Sequence, residues 1–290
     1  MKSTVIHRRA MLKHLAVGVP VISAFDVRQL FAAPAKRFSI GACDWSIGQM
    51  GKLEAMETAA KIGLDGVQLS LGTAANNMQL RSKELQQSYK DAAKKNGVKI
   101  GGLAIGELNR VPYKSDPRTD QWVSDCIDTA KALGVKSILL AFFNDGDLRN
   151  DAAGQKVVIE KLQKVAPKAE KAGVMLGIES WLSAKEHMNI INSVGSKNVK
   201  VYYDVCNSNQ MGYNIYEEIR WLGKENICEF HCKENGYLLG QGKVDFTEVR
   251  KAIDDIKYTG WLQIEGAVPE KQDMLESYIK NLTYLRSVMS

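Results

Sequence analysis

From residue 37 onward, short apolar runs alternate with stretches in which apolar residues recur every three or four positions. The first kind of run suits a strand covered on both faces, and the second is the stripe of an amphipathic helix. RFSIGACDW (37–45) predicts a first strand. KLEAMETAAKIG (52–63) predicts its helix, with Leu53, Met56 and Ala60 on one face and Gly63 as the stop. DGVQLSLG (65–72) reads as the second strand, followed by a helix over 82–97 capped by Ser82 and stopped by Gly97. VKIGGLAIG (98–106), a helix over 116–134 with Pro117 in its first turn, and the wholly apolar VKSILLAFF (135–143) continue the series. A long helix over 151–172 turns Val158, Leu162, Val165 and Ala169 inward. VMLGIES, VKVYYDVCN, NICEFHCKEN and GWLQIEG then read as strands five to eight. Their helices fall at 183–195, 215–223, 246–256 and 270–288, with a Gly-rich loop at 236–245.

Eight strand–helix pairs predict an α/β fold, one (β/α)8 TIM barrel over residues 36–290, close to the usual length of about 250 residues. A doubly wound open sheet would place a Gly-rich dinucleotide turn after its first strand. CDWSIGQMG has no G-x-G-x-x-G, and no linker or repeat divides the chain.

Residues 1–35 break the pattern. A basic stretch, HRRAMLK, precedes the apolar LAVGVPVISAF, and Ala33-Pro34-Ala35 resembles an A-x-A cleavage signal. Arg8-Arg9 with Leu12-Lys13 resembles a twin-arginine export signal, with His7 and Met11 as departures. The expectation is an exported, periplasmic protein without stable membrane association, since the apolar run is shorter than the ~20 residues a span requires. The competing reading is an N-terminal extension that is never removed. Five basic residues against Asp26 put most of the net charge of +6 in this segment. The remainder is nearly neutral, which argues against a nucleic-acid partner. Cysteines 43, 126, 206, 228 and 232 all lie in predicted elements and read as buried free thiols.

The chemistry concentrates late in the chain. Four successive strand runs carry Glu179, Asp204, His231 and Glu265, spaced by roughly the length of a βα unit. Barrel active sites form at the C-terminal ends of the strands. Three carboxylates gathered there without a cation would repel one another, so the set predicts one divalent metal ion.

The pattern GIES…YYDVCN…EFHCKEN…GQGKVDF…QIEG resembles the sugar phosphate isomerase/epimerase family, the xylose isomerase-like barrels. The resemblance covers essentially all of residues 37–288. It implies that Glu179, Asp204, His231 and Glu265 hold Mn, Mg, Co or Zn, and that Glu179 and Glu265 also move protons. An enediolate stabilised by the metal would link deprotonation on one face of a keto-sugar to reprotonation on the other. The chain departs from the better-known ketose epimerases at three positions. Asn207 stands where they carry His, Tyr237 where they carry Arg, and Gln68 where an acidic residue is usual. Lys233 and Glu234 match the family's Lys-Asp after the His ligand.

Lys233, Asn207, Glu107, Trp45, Trp181 and Tyr237 are the expected substrate contacts, the two tryptophans as stacking walls. His187 reads as structural and Cys206 as pocket packing. The leading expectation is an isomerase or epimerase of a neutral carbohydrate. A dehydratase or hydratase using the same enediolate stays open, as does a non-catalytic sugar-binding protein. A multi-metal nuclease is disfavoured, because only His187 and His231 follow the signal. A homo-oligomer is an open partner.

Overall fold

Each predicted run forms its element, and the eight strands close into one parallel barrel in chain order, with β1 paired to β8. The structure, a computed structural model, describes residues 37–290; the export-signal reading lies outside the described residues. The strands are β1 (Phe38–Cys43), β2 (Gly66–Ser70), β3 (Lys99–Ile105), β4 (Ser137–Phe142), β5 (Met175–Ser180), β6 (Val199–Asp204), β7 (Ile227–Glu234) and β8 (Gly260–Gly266). The helices are α1 (Glu54–Ile62), α2 (Lys83–Asn96), α3 (Arg118–Leu133), α4 (Ala152–Ala172), α5 (Ala184–Val194), α6 (Val205–Gln210), α7 (Ile215–Asn226), α8 (Phe246–Asp255) and α9 (Met274–Met289). Among the described residues no helix is long and apolar enough to cross a membrane.

The continuous apolarity of β4 shows why the barrel forms. Ile138, Leu140 and Phe142 point outward into the main core beneath the helices. Leu139 and Ala141 alternate with them and join Ala104, Tyr202 and Cys228 in a second cluster inside the barrel. A strand apolar on one side only could not be covered on both faces. Large side chains inside the barrel need small neighbours: a Cβ on Gly41 would fall 2.2 Å from Gln263 Oε1, and one on Gly177 would fall 2.6 Å from Cys228 Sγ. The five cysteines are free and buried.

Several boundaries differ from the sequence reading. The sixth strand was expected to run through Asn207 but stops at Asp204. There the Asp204 carboxylate accepts hydrogen bonds from the backbone N–H groups of Cys206 and Asn207, which turns the chain into α6. Cys206 therefore lies on a helix rather than sharing strand parity with Asp204. β7 runs three residues past His231, so this residue is not at the strand end. The buried Glu234 carboxylate accepts from the Lys243 and Val244 N–H groups and ties the Gly-rich loop to the strand. α7 passes Gly223 with a break at φ 67° and ψ 166°, and α9 begins at Met274 because Asp273 caps it there.

Candidate metal centre and cavity

The register of β5 to β8 brings the four predicted ligands together. Asp204 pairs with His231 across β6 and β7, and Lys233 pairs with Glu265 across β7 and β8. One ligand atom from each of Glu179, Asp204, His231 and Glu265 lies within 4.8 Å of the others. His231 Nδ1 is 2.8 Å from Glu179 Oε1, 3.5 Å from Glu265 Oε2 and 3.8 Å from Asp204 Oδ2.

The set fits a divalent cation on two grounds. Its donors, three carboxylates and an imidazole, suit borderline to hard metals. Asp204 Oδ2 is buried and makes no hydrogen bond, with the Lys233 ammonium 3.8 Å away and beyond hydrogen-bond reach, while Oδ1 is occupied by the α6 cap. A buried carboxylate oxygen without a partner is costly unless something cationic meets it.

The electrostatics without a cation point the same way. Burial, with the charges of Glu179 and Glu265, raises the Asp204 pKa to about 7 against the pull of Lys233 and His231. Burial also opposes ionisation of Glu265, yet His231 and Lys233 outweigh it and hold that carboxyl down at about 2. At His231 burial disfavours the imidazolium, but Cys43, Glu179 and Glu265 outweigh it and lift the pKa well above the ordinary value. Protons thus do part of the neutralising that a divalent cation would do on binding.

Above this cluster opens a cavity of about 480 Å³. Glu179 and Glu265 line it, as do the expected contacts Trp45, Glu107, Trp181, Asn207 and Lys233. Asp204 and His231 are 3% and 0% exposed and sit below it. Trp45 Nε1–H donates to Glu265 Oε1 at 2.8 Å, and the Lys233 ammonium donates to Glu265 Oε2 at 2.8 Å. Both partners fix the rotamer of that carboxylate. Burial disfavours the Lys233 charge, but Glu265 and Asp204 more than compensate and raise its pKa. Glu107 pairs with Arg110 at 2.7 Å and accepts the Ala74 N–H at 3.1 Å. The ring of Trp181 meets Phe143 edge-on at 5.1 Å and carries the Arg149 guanidinium at 4.6 Å.

Tyr237 does not join this group. It is 52% exposed and absent from the cavity wall. β7 continues to Glu234, and the left-handed Gly236 at φ 81° then carries the loop away from the mouth. His187 is buried, bonded to Ser180 Oγ and the Ser183 carbonyl, and burial lowers its pKa to about 4, as suits a structural residue. A larger hollow of about 700 Å³ lies outside the barrel between α2 and α3, lined in part by Arg81, Gln86 and Asp125. Among the described residues the only metal-ligating cluster is the one in the barrel.

The sequence reading did not assign the polar chain below the candidate metal ligands. His231 Nε2 lies 3.0 Å from Gln68 Oε1, Gln68 Nε2 donates to the Tyr202 hydroxyl at 3.1 Å, and Tyr202 donates to Glu229 Oε2 at 2.9 Å. Ser137 donates to the other Glu229 oxygen. Burial raises the Glu229 pKa to about 7, against these hydroxyls. The available signal was parity: Glu229 and His231 are two apart on one strand and so share the barrel's inner side. The walls Phe143, Asn109 and Arg110 follow strand ends and carried no distinguishing pattern.

The family model for the xylose isomerase-like TIM barrel matches residues 56–288. Over 168 residues the chain is 27% identical to the probable L-ribulose-5-phosphate 3-epimerase of Mycoplasma pneumoniae, covering 54% of each protein. It is 26% identical over 187 residues to the 2-epi-5-epi-valiolone 7-phosphate 2-epimerase of an Actinoplanes species, covering 64% of this chain and 67% of that one. The matches thus span between about half and two thirds of these relatives' lengths. The D-psicose 3-epimerase structure from Clostridium cellulolyticum H10 superposes with a TM-score of 0.74 at 21% identity, over 87% of this chain and 99% of that one.

Proposed function

The chain belongs to the xylose isomerase-like TIM barrel family, and on that premise we propose that it is a divalent-metal-dependent isomerase or epimerase of a keto-sugar. The observation that carries the reading is the pairing of roles in the cluster. Asp204 and His231 lie beneath the cavity, while Glu179 and Glu265 line it. The relatives named above are epimerases, one of them of the keto-sugar ester L-ribulose 5-phosphate, which supports the same class of reaction.

Glu179, Asp204, His231 and Glu265 would hold the cation. When bound, it supplies a Lewis acid that draws charge from a carbonyl and the adjacent hydroxyl oxygen. The protein's own groups do the rest. One of Glu179 and Glu265 takes the proton from the carbon beside the carbonyl, and the electron pair moves into the enediolate. The other returns a proton to the opposite face, which inverts the centre. Trp45 and Lys233 hold Glu265 in place for that transfer. Asn207, Glu107 and Trp181 stand where substrate hydroxyls and ring faces would meet the wall. The basic and apolar pattern of residues 1–35 supports an exported enzyme.

The test is incubation of the Mn²⁺-loaded protein with keto-sugars in D₂O, followed by mass spectrometry and NMR. The expected result is one deuterium at the carbon next to the carbonyl, with no loss of water. Glu265→Gln should slow incorporation by roughly 10²-fold or more, the scale of a positioned acid–base group. Exchange at the wild-type rate in that variant overturns the two-glutamate mechanism. A second reading is elimination of a β-hydroxyl from the same enediolate. Loss of one water from the product identifies it.

A further inference from the structure

The cavity is divided in a way that the proton-transfer reading does not use. All four candidate ligands come from β5 to β8, so the reacting carbon must lie on that side. The β2 to β4 side carries Thr73, Ala104, Gly106, Ala141, Phe143 and Asn144, small or uncharged groups. Its charged residues, Glu107 and Arg110, are paired with each other at 2.7 Å. A hexose has twelve non-hydrogen atoms and at interior packing density fills roughly 200 Å³. The cavity of about 480 Å³ leaves room for a second ring.

What could fill that room is constrained by charge. A phosphate needs a free cation or an open helix N-terminus. Lys233 is held by Glu265, and Arg110 by Glu107. The helices that follow β4, β6, β7 and β8 are capped at their N-termini by carboxylates of the chain itself, Asp151, Asp204, Asp245 and Asp273. The wall instead offers the Phe143 and Trp181 rings, with Trp181 fixed from outside the cavity by Arg149. Aromatic rings beside amide groups suit the mixed apolar and hydroxyl surface of a sugar.

We infer that the substrate is a neutral glycosylated keto-sugar: the keto ring sits over β5 to β8, and a second sugar ring occupies a separate subsite over β2 to β4. The inference rests on the keto-sugar reading for the first ring only. The outer subsite therefore predicts a preference for two rings over one, and for neutral over phosphorylated substrates.

The experiment separates binding from turnover. Calorimetric binding and D₂O exchange are measured on the Mn²⁺-loaded protein with D-fructose, D-ribulose 5-phosphate and the ketose disaccharides maltulose, lactulose and turanose. At least one disaccharide should bind roughly tenfold or more tightly than D-fructose, with the phosphate ester weakest. Gly106→Phe fills the outer side: a Cβ there meets nothing within 4 Å, and the glycine has no positive φ to lose. It should cut the disaccharide-to-fructose preference by roughly tenfold while Mn²⁺ affinity stays unchanged. Thr73→Phe, from a different loop, should do the same. A preference for D-fructose or for the phosphate ester, no disaccharide binding, or a preference that survives both variants overturns the subsite. Preferential disaccharide binding without deuterium exchange upholds the subsite and sinks the proton-transfer reading instead.

Discussion

The hydrogen-bond chain beneath His231 has a direction, and that direction makes a quantitative prediction. Glu229 is buried and accepts from both Ser137 and Tyr202, so the Tyr202 proton is committed to Glu229. The Tyr202 oxygen must then accept, and only the amide nitrogen of Gln68 can donate to it. This orients Gln68 with its oxygen toward His231 Nε2, which must carry the proton. Nδ1, which faces Glu179, Asp204 and Glu265, is then the nitrogen that gives up its proton when a cation binds. In Gln68→Leu this constraint is gone. Without a cation, the His231 imidazolium would shed the Nε2 proton that has lost its acceptor and keep the one on Nδ1, 2.8 Å from Glu179 Oε1. Binding a cation would force an N–H against the leucine, with only the weakly accepting Cys43 sulfur at 3.4 Å in place of the amide oxygen, at a cost of about 1–3 kcal/mol. Mn²⁺ or Co²⁺ affinity should therefore fall roughly 10- to 100-fold. Calorimetric titration at pH 8, where Glu229 is ionised, reads this directly, and ¹H–¹⁵N NMR of the imidazole reads the tautomer. Gln68→Glu, whose buried neutral acid offers an O–H to Tyr202 and its carbonyl oxygen to His231, should recover part of the loss. Leucine and wild-type proteins that bind the cation within about threefold of each other, inside the usual few-tenths error of such comparisons, would refute the reasoning.

Two further effects follow from buried ionisable groups. Cation binding should stabilise the fold: at about 100 times Kd it contributes about 2.7 kcal/mol, worth several degrees in Tm, reversed by chelator. The affinity should weaken as pH falls below about 7, where Asp204 takes up its proton; no shift with Mn²⁺, Mg²⁺, Co²⁺ or Zn²⁺ would remove the metal assignment. The second effect concerns His187, which is held neutral in the fold with its pKa lowered to about 4, while the unfolded chain titrates near 6.5. Its contribution is complete above 6.5 and is lost as pH falls toward 4, by up to about 3 kcal/mol. Urea denaturation from pH 4 to 8 should show His187→Gln losing that part of the slope; a variant as pH-dependent as wild type would contradict the assignment.

The fold was legible because its signals were local and repeated. Every apolar run bounded by a glycine or a cap became a strand or helix close to its predicted place. The misses were tertiary. Asp204 ends β6 because its own carboxylate caps α6, an interaction that apolar patterning does not record. β7 outruns His231 because Glu234 anchors a loop ten residues further on. Tyr237 was placed at the site by its offset from His231, and the extra strand residues with the turn at Gly236 removed it. The clustering of the four candidate ligands could be read from spacing because the barrel repeats its geometry once per unit. Gln68, Tyr202 and Glu229 come from three different strands with no common spacing, so their connection exists only once the barrel closes.

That closure explains why the barrel's interior is polar where packing alone would favour aliphatic layers. Gln68, Ser137, Glu229, His231 and Gln263 are all nearly or wholly inaccessible. A buried polar network is unfavourable unless its members satisfy one another. Here the satisfied part runs from Ser137 to His231, the Gln263 amide lies beside Glu229, and Asp204 Oδ2 is left without a hydrogen bond at the candidate cation site. The carboxylate oxygen faces the candidate cation site, so one bound ion would meet it. Gln263 gains nothing from such an ion in these terms, and its neighbour Gly41 leaves the space that its amide fills. The polar interior is therefore best understood as a support for His231: it orients one ligand from below, while Trp45 and Lys233 orient Glu265 from above. A site in which each face constrains a different ligand can keep its geometry while the β2 to β4 side of the cavity is altered, and this separation is what the Gly106→Phe measurement depends on.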